Sequence, residues 1–180
     1  MPRKVLESFN VSYLQVLDAE GQLDRDLEPD IPPDSLRLLY RTMVLARQLD
    51  LRMLSLQRQG RMGTFAPLMG QEAAQVGSAF ALESSDWLVP SFREAAAYIM
   101  RGVPLKDILL LFMGREEGNM IPKDQRDIPV NIPVASQLPH AVGLAMAAKI
   151  QGADVKVRHK PRCKEVKPMG VGGAAVDAED

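Results

Sequence analysis

The residues that most often perform catalysis are scarce in this sequence. It contains two histidines, His140 and His159, and one cysteine, Cys163. A hydrolytic triad or a histidine-rich metal site needs more histidine than this. Acids such as Glu116–Glu117 and Asp124 fall at irregular spacings, which is typical of a solvated surface rather than of a paired-carboxylate glycosidase site. No residue is therefore predicted to be catalytic by itself.

A more informative pattern is the run of four residues Ser91, Phe92, Arg93 and Glu94. Ser91 and Glu94 have the spacing of a capping box, so a helix is predicted to begin at Phe92. Free N–H groups at a helix start attract anions, and Arg93 could add a bidentate fork to a phosphate. The simpler alternative, which this motif alone favours, is a surface arginine paired with Glu94 or Asp86.

A second candidate site precedes the last predicted helix. Pro133, Ser136 and Gln137 offer a backbone carbonyl, a hydroxyl and an amide oxygen within five residues. Such oxygen ligands suit a hard cation, although the pattern alone is a weak signal. His140 follows in the first turns of that helix, where a capped or partly exposed histidine is the expected role.

Helices are the main elements that must position these residues. Apolar residues recur at steps of three and four, and helix boundaries carry proline and glycine signals. Predicted helices run from Pro33–Asp34 to Gly60, from Gln71 to Leu82, from Phe92 to about Arg101, from Pro104 to Met113, and from Ser136 to Gly152. The apolar stripe of the first helix contains Leu36, Leu39, Tyr40, Met43, Val44, Leu49, Met53 and Leu56.

The rest of this region contains one predicted strand and one long loop. Residues 86–90 are typical of a short buried strand. Residues 115–135 are polar and rich in proline, and a loop of this length is usually functional or disordered. Because the helix ending at Gly152 is apolar on all sides, we expect it to be buried on several sides.

Composition excludes several classes of protein. Among 180 residues, 22 basic and 23 acidic side chains give a formal charge of −1, which provides no global field for nucleic acid. The longest apolar runs, 108–113 and 141–148, fall far short of the roughly 20 residues that cross a membrane. With Cys163 as the single cysteine, no disulfide framework is expected, and a reducing cytoplasmic compartment fits.

The chain divides into three predicted parts. Residues 1–33 are expected to be an extended arm and linker, with a turn at 18–21. Residues 34–157 form the predicted folded part, which is mostly helical over 34–152. Residues 158–180 are rich in Arg, Lys and Pro before a Gly/Ala run, and we expect a divergent, disordered tail with no packed element.

Five motifs in order and spacing resemble one family. They are Arg58–Gly63, Met69–Ala73, Pro90–Glu94, Gly118–Met120 and Ala135–Gly143. Together they resemble the alpha subunits of the thiamine-diphosphate-dependent 2-oxo acid dehydrogenases. They are most similar to the pyruvate-specific members, with the branched-chain members second. The resemblance covers residues 36–152, roughly the first half of a family alpha chain.

The resemblance implies a fold, a reaction and partners. The fold would be α/β, the amino-terminal part of a thiamine-diphosphate-binding fold, which makes residues 34–157 a partial domain. The reaction would be oxidative decarboxylation of pyruvate. The chain would pair with a beta subunit as α2β2 and serve the acyltransferase core of the complex. By this resemblance, the beta subunit would supply the glutamate that activates the cofactor.

The resemblance also implies roles for particular residues. Ser91, Phe92 and Arg93 would approach the cofactor, with the arginine on its diphosphate. Phe92 stands where the family often has tyrosine, so one hydroxyl contact is lost. Backbone groups of Ile132 and Val134 would contact the aminopyrimidine. Pro133, Ser136 and Gln137 would match a potassium-binding turn found in some members.

The tail departs from the family pattern. Family members continue through a buried strand to a Gly-Asp-Gly motif and later an Asn-Asn pair, which together hold magnesium and the diphosphate. The nearest match here is Gly170–Gly173, where Val171 replaces the metal ligand. These departures predict a truncated or frame-shifted chain. The competing hypothesis is a non-catalytic remnant that pairs with a beta subunit or with itself.

Overall fold

Five helices and two short strands form the regular structure of the residues that this computed structural model describes, which are 11, 13–155, 157 and 158. In chain order the elements are α1 (Pro33–Arg58), α2 (Glu72–Phe80), β1 (Trp87–Leu88), α3 (Ala95–Met100), α4 (Leu105–Phe112), a 3-10 turn (Glu116–Asn119), α5 (Gln137–Gln151) and β2 (Val157–Arg158). The predicted predominance of helix over 34–152 is confirmed. The predictions for His159, Cys163, Gly170–Gly173 and the rest of the tail after Arg158 lie outside the described residues.

The boundaries of α1 follow its local sequence signals. Pro33 occupies the first helical position, where its missing N–H removes no helical hydrogen bond. Gly60 follows the helix with a φ of +69°, a conformation that glycine adopts without strain. The helix predicted between these two residues is therefore confirmed.

The face of α1 that packs inward differs from the predicted stripe. The buried residues are Leu39, Thr42, Ala46, Leu49, Asp50 and Met53. The members of the predicted stripe that are exposed are Leu36, Tyr40 and Val44. The helix carries two adjacent apolar stripes, and the one that contains the fully buried Ala46 leaves room for neighbouring helices.

The main core lies where α1, α2 and α3 meet. Met53 of α1 and Val76 of α2 are fully buried, and Ala95–Tyr98 of α3 are buried with them. Small side chains on α2 and α3 let the helix backbones approach closely. Burial of these side chains is the main favourable contribution to folding in this part of the chain.

The start of α3 differs from the predicted capping box. The helix begins at Ala95 rather than Phe92, and Ser91 does not cap it. Instead, the buried Gln75 side chain of α2 accepts the Ala96 N–H with Oε1 at 3.1 Å and donates through Nε2 to the Arg93 carbonyl at 3.1 Å. Because a distant side chain satisfies the helix start, the local Ser91 signal is not used.

Two parallel extended segments flank β1. β1 pairs in parallel with β2, in the register Trp87 with Val157. On its other side, Leu88 donates to the Arg126 carbonyl at 3.0 Å and accepts the Ile128 N–H at 2.9 Å. The strand predicted within 86–90 is confirmed. The expectation that no element extends beyond Val157 is wrong for Arg158, whose backbone pairs with Leu88.

One face of α5 packs on this sheet. Ala141 and Ala145 of α5 form a small core together with Val89 and Val157. The predicted burial on several sides is wrong, because the opposite stripe of Val142, Met146 and Ile150 is exposed. None of the described helices combines the length and apolar character needed to cross a bilayer.

The 3-10 turn lies directly against α4. A Cβ atom added to Gly118 would lie 2.2 Å from the Leu111 nitrogen and 2.4 Å from the Asp107 oxygen, both in the α4 backbone. No side chain fits there without moving the turn. Pro104 precedes α4 as its N-cap, and Gly114 follows its end with a φ of +76°, so these two residues limit the helix as predicted.

A buried ion pair joins α3 to the segment beside β1. Arg101 donates through Nε to Asp127 Oδ1 at 2.9 Å, and Gln125 donates to Asp127 Oδ2 at 2.7 Å. Burial raises the pKa of Asp127, and the Arg101 charge opposes that rise. The remaining Arg101 nitrogens donate to the carbonyls of Glu83 and Asp86. This network holds the segment 125–128 in register with β1.

The close approach at Gly118 predicts an unusually costly alanine substitution. Gly118→Ala should lower the free energy of unfolding by about 2–3 kcal/mol, because the new methyl group overlaps backbone atoms. The matched control is Gly77→Ala on α2, where a Cβ meets nothing within 4 Å. That change should raise stability by about 0.5–1 kcal/mol. Urea denaturation measures both, and equal stability of the two variants would contradict the placement of the turn.

The buried ion pair predicts a contrast between two arginines. Arg101→Met leaves the Asp127 carboxylate buried without its cation and should lower the free energy of unfolding by about 3–5 kcal/mol. Arg37→Met removes a pair whose side chains are 78% and 93% exposed, and should cost at most about 1 kcal/mol. Thermal and urea unfolding measure the difference. A small loss in both variants would show that Arg101 does not stabilise the fold.

Candidate functional site

Two loops leave the sheet at the same edge. Residues 89–93 follow β1, and residues 129–136 follow the parallel segment 126–128. Since parallel segments run in one direction, both loops begin at the carboxyl ends of their segments. We call residues 89–93 and 129–136 the carboxyl edge. Open sheets commonly bind ligands at such an edge.

Arg93 lies on the carboxyl edge, and its guanidinium has N–H donors that form no hydrogen bond within the described residues. Its guanidinium donates to the Pro67 carbonyl and lies over the Phe92 ring, 5.5 Å from the ring centroid. Among the described residues it forms no ion pair, so the alternative pairing with Glu94 or Asp86 is not observed; Glu94 instead accepts the Arg93 backbone N–H at 3.1 Å. A guanidinium has five N–H donors, and those not used by Pro67 can bind an anion.

The two residues beside Arg93 in the predicted site differ in burial. Ser91 is buried, and Phe92 is half-buried. Ser91 therefore presents little surface to a large ligand. Phe92 contributes an aromatic face rather than a hydroxyl, as its residue type dictates. These three residues lie in the non-helical segment before α3, whereas the prediction placed Phe92 and Arg93 inside the helix.

Ile132 and Val134 present open backbone at the same edge. The two residues are 73% and 81% exposed. No backbone hydrogen bond within the described part of the chain uses their peptide groups. Free peptide groups of this kind are available to a polar ring ligand. Their predicted role in binding an aminopyrimidine remains a prediction that the geometry accommodates.

The turn predicted to bind potassium is closed by internal hydrogen bonds. The Pro133 carbonyl accepts the Ser136 N–H at 3.2 Å and the Ser136 hydroxyl at 2.8 Å. Ala135 has a φ of +68°, which strains a residue with a side chain. Gln137 is buried. A cation bound here would require the Ser136 hydroxyl to turn its proton away from Pro133.

The loop that supports Arg93 was not predicted to matter. Residues 64–70, which we call the clamped loop, are fixed through their backbone groups. Gln57 Oε1 accepts the Phe65 N–H at 2.9 Å, and Asp50 Oδ1 accepts the Leu68 N–H at 2.9 Å. Glu72 Oε2 accepts the Gly70 N–H at 3.0 Å. These bonds hold the Pro67 carbonyl where Arg93 reaches it.

The clamping side chains gave weak signals in the sequence. In the sequence, Asp50 and Gln57 have the pattern of ordinary polar residues on a helix. In the structure, Asp50 is fully buried. Glu72 belongs to the Gly-Gln-Glu motif, which carried the family resemblance without an assigned role. A polar residue on an inward helix face is the signal that could have found Asp50, had the inward face of α1 been predicted correctly.

Glu72 also forms an ion pair with α1. Arg47 donates through Nε to Glu72 Oε1. The hydrogen bond from Arg47 lowers the pKa of Glu72 and raises the pKa of Arg47. The Arg47 side chain is 42% exposed while that of Glu72 is 10% exposed. The carboxylate thus bridges the clamped loop and α1 while remaining ionised.

The described residues contain no metal-ligand cluster of the acid, histidine and cysteine type. No group of three or more such side chains converges in the part of the chain that the structure describes. His140 is exposed on α5. Arg93 and the unbonded backbone groups of the carboxyl edge can recognise negative charge and hydrogen-bonding groups on a ligand.

An arginine beside open peptide groups at the carboxyl ends of parallel segments is an arrangement that can bind an anionic ligand. Comparison with known families gives the particular class. The chain belongs to the family described as the dehydrogenase E1 component, whose model matches residues 40–158. This family depends on thiamine diphosphate. The resemblance found in the sequence is confirmed.

Individual relatives include two kinds of subunit. The chain is 44% identical over 135 residues to the alpha subunit of the pyruvate dehydrogenase E1 component of Acholeplasma laidlawii. It is 39% identical over 152 residues to the corresponding Staphylococcus aureus (strain Mu50) subunit. It is 37% identical over 150 residues to the alpha subunit of 3-methyl-2-oxobutanoate dehydrogenase of Mycobacterium tuberculosis (strain H37Rv).

These alignments cover most of this chain but less than half of each relative. They include 74%, 83% and 82% of the chain, respectively. They include 39% of the Acholeplasma protein and 41% of each of the other two. The chain therefore spans about two fifths of the length of the curated relatives it matches.

The Glu72 contacts predict a pH-dependent contribution to stability. Because the folded-state pKa of Glu72 lies below its ordinary value of 4.5, its stabilisation is fully present above that value and is lost as pH falls through the folded-state pKa. At pH 7, Glu72→Gln should lower the free energy of unfolding by about 1 kcal/mol. The difference from wild type should shrink steadily below pH 4.5.

Urea denaturation at a series of pH values measures this effect. Glu20→Gln, a change at an exposed carboxylate in the 18–21 turn, is the matched control and should differ little from wild type at any pH. A difference for Glu72→Gln that stays constant down to pH 2 would contradict a charge-dependent role. Arg47→Met should show the same pH dependence, since it removes the other partner.

Proposed function

We propose that this chain is the amino-terminal part of an alpha subunit of a pyruvate dehydrogenase decarboxylase component, with an α/β thiamine-diphosphate-binding fold. The observation that carries the proposal is the position of Arg93, half-buried on the carboxyl edge with free guanidinium donors. Family membership and the identities to two pyruvate dehydrogenase alpha subunits support it. The proposed reaction is oxidative decarboxylation of pyruvate.

The residues of the carboxyl edge would hold the cofactor. Thiamine diphosphate, when bound, supplies the carbanion chemistry of 2-oxo acid decarboxylation. Arg93 would neutralise negative charge on the diphosphate through its free N–H groups. The peptide groups of Ile132 and Val134 would bind the aminopyrimidine, and the Phe92 face would exclude water beside Arg93. The chain's contribution is thus orientation and charge, and no catalytic side chain is assigned.

The described residues offer different ligands to the two metal ions expected at the proposed site. Magnesium has no ligand cluster among the described residues. Potassium has candidate ligands in Pro133, Ser136 and Gln137, provided that the Ser136 hydroxyl reorients. The proposal therefore assigns no step of this chain to a metal.

The proposed partner is a beta subunit of the same component, in an α2β2 assembly that serves an acyltransferase core. The exposed backbone of Ile132 and Val134 supports this, because a ligand there would be open to solvent on one side unless a second chain covered it. We propose no nucleic-acid or membrane partner. The beta subunit would supply the glutamate that activates the cofactor.

The substrate has one specific alternative. The M. tuberculosis relative is named for 3-methyl-2-oxobutanoate, which makes a branched-chain 2-oxo acid the second candidate. An assay of this chain with a family beta subunit, thiamine diphosphate and magnesium tests both. We expect carbon dioxide release from pyruvate to exceed release from 3-methyl-2-oxobutanoate. Release no higher than with the beta subunit alone would contradict the proposed function.

A non-catalytic interaction protein is a second candidate function. The exposed α5 stripe of Val142, Met146 and Ile150 favours it, because an apolar helix face of this kind commonly marks a contact surface. Size-exclusion chromatography with light scattering, run with and without the beta subunit, separates the candidates when combined with the assay. A stable complex that releases no carbon dioxide would favour this second function.

The position of Arg93 predicts a loss of cofactor affinity on substitution. In the assembly with a beta subunit, Arg93→Ala should weaken thiamine diphosphate binding by about ten- to a hundredfold, because a charge-assisted pair is lost. Arg93→Lys should recover part of the loss, since it keeps the charge without the fork. Calorimetric titration measures the affinities.

Arg126→Ala is the matched control for this experiment. The Arg126 guanidinium also stacks on an aromatic ring, 5.8 Å from the Trp87 centroid, but lies at the opposite end of the segment 126–128. Its removal should change affinity less than about twofold, since it makes no contact with the ligand. Equal affinities for wild type and Arg93→Ala would remove Arg93 from the site.

A further inference from the structure

Asn119 links the 3-10 turn to the carboxyl edge. Its side-chain oxygen Oδ1 accepts the Val130 N–H at 3.2 Å, across eleven residues. Pro129 has no N–H, so Val130 provides the first backbone donor after Ile128. Asn119 therefore holds the chain immediately before the open peptide groups of Ile132 and Val134.

The backbone that carries Asn119 lies directly against α4. Gly118 sits against α4 with no room for a side chain, so the turn cannot shift toward the helix. The turn is also bonded to α4 through the Arg115 N–H, which donates to the Leu110 carbonyl at 2.9 Å. The position of Asn119 is thus fixed by the backbone of α4 rather than by flexible side chains.

The other contacts of the segment lie upstream or downstream of the open peptides. Ile128 is held by Leu88, and its carbonyl accepts the Tyr98 hydroxyl at 2.5 Å. After Val134, the hydrogen bonds between Ser136 and Pro133 close the next turn. Between these points, Asn119 makes the one side-chain hydrogen bond to the backbone of 129–132 within the described residues.

We propose that Asn119 is a positioning residue of the cofactor site: it fixes the direction of the backbone at 130–134 from α4 and thereby presents the peptide groups of Ile132 and Val134 to the ligand. The inference rests on the proposed function, because it assigns those peptide groups to the cofactor. Asn119 itself touches no ligand. Its effect passes through a single hydrogen bond, which the Val130 N–H donates to the Asn119 side-chain oxygen.

Two substitutions separate the hydrogen bond from side-chain shape. Asn119→Leu keeps a similar volume but removes the acceptor. Asn119→Asp keeps an acceptor oxygen at the same position and should restore the bond. Met120→Leu, a change at the exposed neighbouring residue, is the control for a substitution in this turn.

The first measurement is amide hydrogen exchange of the 180-residue chain. Asn119→Leu should speed exchange of the Val130 amide, whose acceptor it removes, by about tenfold, while α1 and α4 exchange as in wild type. Asn119→Asp and Met120→Leu should exchange as wild type does. Unchanged exchange of the Val130 amide in Asn119→Leu, or equally faster exchange in α1 and α4, would overturn the inference.

The second measurement is thiamine diphosphate titration of the assembly with a beta subunit. Asn119→Leu should weaken binding by about five- to tenfold, and Asn119→Asp should bind within about twofold of wild type. Equal binding by wild type and Asn119→Leu would overturn the positioning role. Absence of binding by wild type would contradict the proposed function itself, so the two failures are distinguishable.

Discussion

The parallel pairing of Leu88 with residues 126–128 is the interaction on which the arrangement of this chain depends. Leu88 uses both its N–H and its carbonyl on that segment, and β2 pairs on the other side. The direction of this pairing decides which loops share an edge. If the segments ran antiparallel, Arg93 and Ile132 would leave the sheet at opposite ends. The buried pair of Arg101 and Asp127 locks the register by holding both segments to the end of α3.

Local signals in the sequence predicted the elements whose boundaries depend on neighbouring residues. Pro33 and Gly60 mark the ends of α1, and Pro104 and Gly114 mark the ends of α4, because proline and glycine act through their own backbone geometry. The start of α3 was wrong for the opposite reason. The Ala96 N–H is satisfied by Gln75, a residue of another helix, and no local pattern near Ser91 reports that contact.

The candidate site divides in the same way. Residue type and motif order were enough to select Arg93, Ile132 and Val134, and the structure places them on one edge. Sequence could not show that the Arg93 guanidinium meets the Pro67 carbonyl, since this contact depends on how the clamped loop crosses α1. The exposed stripe on α5 was also missed, because apolar character all around a helix does not tell which side has a partner.

The clamped loop has a consequence for how this protein can change over evolution. Asp50, Gln57, Glu72 and Arg93 all form hydrogen bonds with main-chain atoms of the loop. Besides these backbone bonds, the loop is held by the buried side chains of Phe65 and Leu68. The exposed side chains of Thr64 and Met69 can be exchanged while the backbone keeps its course. Substitutions at these two exposed positions can therefore change the surface chemistry beside Arg93 while the Pro67 carbonyl stays in place.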